Sequence, residues 1–151
     1  MAEAHTPEGI TADYVNEGVR DSLSALQQAP DYDRLAAFLV ALRGGFLVAD
    51  VTGTHKKKST RVRTVRSTKG QLLLPLFTSM EELRLAYPKG RGEQAKGAIM
   101  PSLEALRLIQ TSPFVAVQFN AGSAALPVLR KYVSLVLSDE PIEAAALEQL
   151  S

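Results

Sequence analysis

Residues 70–87, GQLLLPLFTSMEELRLAY, constrain the fold more than any other part of the chain, because a continuous apolar run turns within two residues into a helix start. Leu72, Leu73, Leu74, Leu76 and Phe77 are too uniformly apolar for a strand with one wet face, so both faces must be covered, as in the middle of a layered domain. Pro75 has no amide to give to a ladder, which predicts a place at a bulge or where a partner strand departs. Thr78 and Ser79 each stand three residues before a glutamate, Glu81 and Glu82. Either hydroxyl can therefore cap the helix while the glutamate reaches back to the free amide. The stretch predicts a strand, a sharp turn and a helix.

The flanking sequence supplies partners for that unit. Ile10, Val15, Val19, Leu23 and Leu26 recur at helical intervals, with Thr11 as the expected cap and Pro30 as the stop. Leu35, Phe38, Leu39 and Leu42 form the stripe of a second helix, starting at Asp31 or Asp33 and closed by Gly44 and Gly45. Residues 46–51 read as a strand, residues 52–60 as a polar connection, and residues 61–67 as a strand joined to the central one by a turn at Lys69 and Gly70. Beyond Pro88 lies a basic glycine loop, then a short strand at residues 98–100, a helix over 102–110 and a strand over 114–119. Residues 126–137 read as a helix with Pro127 in its first turn. A last acidic helix is expected over residues 139–150, capped by Asp139 and opened by Pro141.

These elements amount to a single α/β (α+β) domain, a mixed sheet with an antiparallel central hairpin flanked by helices. Residues 1–9 are expected to be a loose tail and residues 10–151 the domain, with two helices in 10–43 and the core in 44–137. A length of 151 residues with 46% apolar content suits one core. The absence of cysteine excludes disulfides, thiol catalysis and thiolate metal sites within these residues. The start MAEAHTPEGI carries no secretory pattern and no apolar run approaches membrane-spanning length, so a soluble cytoplasmic protein without membrane contact is expected.

The net charge of +1 conceals a separation of charge. Residues 1–33 hold seven acids and one base, residues 139–151 hold four acids and no base, and the centre carries the balancing excess of cations. Its densest part is residues 55–69, HKKKSTRVRTVRSTK, with Lys56, Lys57, Lys58, Arg61, Arg63, Arg66 and Lys69. Such a segment is either a site for acidic or phosphate-bearing partners, or an edge strand whose charges keep it from pairing with other sheets, solvated or covered by the acidic first helix. The edge is the preferred reading, since the segment has no aromatic residue on which a base could stack.

The order of elements resembles the SseB N-terminal domain family, bacterial proteins named after an enhanced serine sensitivity phenotype. The resemblance is carried by Leu42, Arg43, Gly44 and Gly45 leading into residues 46–51, by the block GQLLLPLFTSMEEL at residues 70–83, and by residues 114–123, which end in VQFNAGS. It spans residues 35–133. Family members often carry proline where Asp50 and Ala121 stand here. The resemblance implies an α/β domain of mixed sheet and flanking helices, usually without a known catalytic site, and transfers a fold rather than a mechanism.

Chemistry is sparsely signalled. A phosphate-loop pattern starting at Gly53 fails, because Lys58 stands where the second glycine is needed and Ser59 where the lysine is needed. Lys89, Gly90, Arg91 and Gly92 form a second basic loop whose amides could cradle an anion, with a plain connection as the preferred reading. His5 and His55 are the only histidines, and no G-x-S-x-G occurs, so no catalytic or metal-binding residues are assigned and no cofactor is expected. Asp50, with Thr52, Thr54 and His55 downstream, is the one polar cluster in an apolar context, and an ordinary strand end explains it. The function expected is a non-enzymatic module that binds another protein, a second copy of itself among the candidates. The alternative is an anion or nucleic-acid binder using Lys56, Lys57, Lys58, Arg61, Arg63 and Arg66.

Overall fold

The computed structural model describes residues 3–52 and 62–150. In chain order these form β1 (Glu3–His5), α1 (Glu17–Gln28), α2 (Tyr32–Ala41), β2 (Phe46–Asp50), β3 (Val65–Arg66), β4 (Leu72–Phe77), α3 (Met80–Leu85), β5 (Lys96–Pro101), α4 (Ser102–Arg107), β6 (Ala116–Phe119), β7 (Leu126–Leu129), α5 (Arg130–Leu137) and α6 (Ala144–Leu150). The strands make one mixed sheet in the order β1-β5-β2-β4-β6-β7, with β3 paired to β4. The expected class, an α+β domain built on a mixed sheet, is the one observed.

The leucine-rich stretch is the sheet's central strand. Alternation along β2, β4 and β6 sends Leu47, Ala49, Leu74, Leu76, Val117 and Phe119 to one face, where they join residues of α1, α2, α4, α5 and α6 in the main core. Val48 and Phe77 point to the other face and pack with Met80 and Leu83 of α3 and with Ile99. β4 runs antiparallel to β2 and parallel to β6. On the β2 side its partner changes: Ala49 and Val48 face Leu76 and Phe77, whereas Arg66 and Val65 face Leu72 and Leu73. The carbonyls of Leu72 and Leu76 accept from the amides of Val115 and Asn120, so even-numbered residues turn their backbone groups toward β6 and Pro75 faces the opposite side. Its missing amide falls where β3 has ended and β2 has not begun.

Several boundaries differ from expectation. The first helix starts at Glu17, because Asn16 rather than Thr11 is the cap: its Oδ1 accepts the Val19 amide at 3.1 Å while its Nδ2 donates to the Phe46 carbonyl at 2.9 Å. Ile10 and Tyr14 are thereby freed from the helix and pack on the second face of the sheet. Residues 126–129 are a strand, antiparallel to β6, where a helix was expected. Leu126 and Val128 turn inward while Pro127 and Leu129 are exposed, a period of two. The Arg130 amide bonds Val115 O at 3.0 Å, so Pro127 faces the open edge, where a missing donor costs nothing. The last helix begins at Ala144 instead of near Asp139. Arg43 explains the delay, since its guanidinium takes the carbonyls of Val136, Leu135, Ser138 and Glu140 at 2.7–3.1 Å and holds the chain out of helical register. Finally, residues 3–5 of the expected loose tail lie parallel to β5 as an edge strand.

Ser79 is the cap of α3, its Oγ accepting the Glu82 amide at 3.2 Å. Thr78 is engaged elsewhere, with Asn120 Oδ1 accepting its amide at 3.0 Å and Asn120 Nδ2 donating to its Oγ1 at 3.1 Å. The Glu82 carboxylate does not reach back to the cap; it accepts from Ser123 Oγ at 2.6 Å. Replacing Ser79 by alanine should therefore cost about 1 kcal/mol in chemical denaturation. An unchanged midpoint would show that Thr78 takes over the capping role.

Candidate binding site at the foot of the basic segment

β2 ends in a carboxylate that the core cannot hold uncompensated. Asp50 is 4% exposed, and its two oxygens are both used. Oδ1 accepts the Thr52 amide at 2.9 Å, a local turn that bends the chain off the sheet, and Oδ2 accepts the Tyr87 hydroxyl at 2.8 Å. Tyr87 arrives there because α3 ends at Leu85 and the chain folds over the second face of the sheet. Burial pushes the phenol upward from its ordinary pKa and the Asp50 carboxylate adds to this, against Thr52 and Arg63, which lower it. Tyr87 is accordingly a protonated donor at neutral pH.

Arg63 closes the arrangement from the other end of the connection. Its Nη1 donates to the Tyr87 oxygen at 3.0 Å, its guanidinium carbon lies 5.1 Å from the centroid of the same ring, and its backbone amide donates to Asp50 O at 2.7 Å. Thr52 is fixed as well, since its Oγ1 accepts the Lys96 amide at 2.9 Å. The chain thus leaves the sheet beside Asp50 and is back beside Asp50 at Arg63. Asp50, Tyr87 and Arg63 form a clasp across the two ends of the connection between Asp50 and Arg63, in which each polar group satisfies another. The arrangement suits anchoring rather than proton transfer, because the carboxylate has no open side from which to act as a base.

Of the cations singled out in the sequence, Lys56, Lys57, Lys58 and Arg61 lie outside the described residues, as do Thr54 and His55. Arg63 and Arg66 are described, and they are separated rather than joined. Arg63 precedes the strand, and Arg66, within it, donates to Gly70 O at 2.8 Å across the turn to β4. The strand expected over residues 61–67 is confined to Val65–Arg66. The ion pairs between described residues that involve the acidic first part of the chain are Arg20 with Glu17 and Asp21, and Arg34 with Asp31, all local to α1 and α2. Among the described residues no three His, Cys, Asp or Glu side chains converge to hold a metal ion.

Tyr87 was not singled out in the sequence as a member of this cluster. Thirty-seven positions separate it from Asp50, and at the end of an amphipathic helix an aromatic residue reads as ordinary packing. The Asn120 bonds to Thr78 were equally silent, because Asn120 followed by Ala121 and Gly122 reads only as a turn.

A family profile described as the SseB protein N-terminal domain matches residues 19–134, from α1 into α5. No curated protein matches, and no solved structure matches.

Proposed function

Since the chain belongs to the SseB protein N-terminal domain family, we propose that it is a non-enzymatic module that engages another protein through the basic segment, residues 55–69, with Lys56, Lys57, Lys58, Arg61, Arg63 and Arg66 as its contact cations. The observation that carries this reading is the clasp, above all the 2.7 Å bond from the Arg63 amide to Asp50 O. The charged stretch between Asp50 and Arg63 is tied at both of its ends and has less conformational freedom to lose on docking than a free tail. Its partner is an acidic protein surface, for which the segment supplies charge complementarity and a fast, salt-sensitive encounter.

The test is a variant with Lys56, Lys57, Lys58 and Arg61 all changed to glutamine. Folding is expected to be unchanged, since long cationic side chains keep their charged ends in water and substitutions at such positions move stability little. A protein partner captured at low salt and retained after nuclease treatment should be lost from the variant. Retention by the variant would place the contact elsewhere. If capture instead depends on nucleic acid, the dependence of log K on log salt should flatten by about 0.9 for each lost phosphate contact on duplex DNA, and the nucleic-acid reading replaces this one. Unfolding of the variant would mean that these charges are held against the acidic helices.

A further inference from the structure

The turn that follows α3 makes a second cationic feature, which borders the clasp at Tyr87. Between α3 and residues 88–92 lies an open concavity of about 520 Å³, lined by Arg84, Lys89, Gly90, Tyr87, Leu85 and Glu81 among others. That volume falls within the roughly 300–1,000 Å³ range of small-molecule sites. Arg84 and Lys89 are exposed; Arg84 lies close enough to the Glu93 carboxylate to help lower its pKa, while Lys89 makes no hydrogen bond or ion pair among the described residues. The Arg91 amide donates to Pro88 O at 2.9 Å with Gly90 at φ 86°, a type II turn that requires glycine at that place. The two amides at the head of this turn, those of Lys89 and Gly90, donate to no group among the described residues.

Two exposed cations and two unspent amides at one mouth are complementary to a compact, multiply charged anion. We propose that this concavity binds the phosphate group of a small phosphate-bearing molecule, held by Arg84, Lys89 and the amides of Lys89 and Gly90. Glu81 lies about one helical turn before Arg84 and sets the orientation: the anionic head sits at the Lys89 end, away from that carboxylate, and the remainder of the ligand lies over Leu85 and Tyr87. Leu85, an apolar side chain 53% exposed, is then covered by the ligand.

The experiment is a titration of the labelled protein with inorganic pyrophosphate at physiological salt, read as backbone amide shifts. Saturable shifts centred on Lys89, Gly90 and Arg91, weakened about tenfold or more by the pair of changes Arg84→Gln and Lys89→Gln, are expected. Both side chains are exposed, and an unchanged denaturation midpoint confirms that the double variant is folded. The fourfold glutamine variant of the basic segment should bind pyrophosphate as the unaltered chain does, which separates this site from the proposed protein contact. Shifts that do not saturate, that centre on Arg63 and Arg66, or that survive the double variant would overturn the assignment.

Discussion

Replacing Phe77 by alanine should lower the unfolding free energy by about 3–5 kcal/mol, the cost of removing a buried aromatic ring and leaving a cavity behind. Phe77 is 1% exposed and stands at the end of the central strand, on the face where a single helix covers the sheet. Its neighbours Val48, Met80, Leu83 and Ile99 come from two other strands and from α3, so no one element can shift to close the space. The loss is read as a lower midpoint in urea with an unchanged slope, since the surface exposed on unfolding stays nearly the same. An unchanged midpoint would mean that α3 does not depend on this ring for its seat.

The parts of the fold legible in the sequence are those specified by neighbours along the chain. The run from Leu72 to Phe77 announces a strand covered on both faces, Pro75 announces a break in pairing, and Thr78 with Ser79 announces a cap, which falls to Ser79. All three depend on contacts within a few positions. The parts that were not legible are decided across the sheet. Asn16 displaces Thr11 as the cap because its amide also reaches the Phe46 carbonyl, 30 residues away. Residues 126–129 pair with β6 in preference to extending α5, because the turn through Asn120 and Ala125, both at positive φ near 50°, brings the chain back along the edge. The site divides in the same way. Its cations are plain in the sequence, whereas the tyrosine that anchors Arg63 is brought in by the packing of α3 and has no local signature.

That dependence on α3 yields the second large effect, at Gly97 in β5. Gly97 lies opposite Asp50 in the β2–β5 register and directly beneath α3. A Cβ at this position would meet Val48 Cγ1 at 2.8 Å and Leu83 Cδ2 at 2.9 Å, and would collide with Met80 Sδ. Replacement by valine adds two further methyl groups to a layer already closed on every side. Overpacking of this kind costs about 1–3 kcal/mol, and the reduced freedom of the unfolded chain offsets only about 0.4–1 kcal/mol of it, as judged from glycine-to-alanine changes. Alanine at the same place should show a smaller loss of the same sign. The layer can relax only by lifting α3 from the sheet, and Tyr87 follows two residues after that helix. Valine should therefore also loosen the bond between Tyr87 and Asp50 and speed hydrogen exchange at the Arg63 amide, which donates to Asp50 O beside it. A valine variant that is destabilised but keeps slow exchange at Arg63 would show that the clasp is held by its own hydrogen bonds and not by the seating of α3.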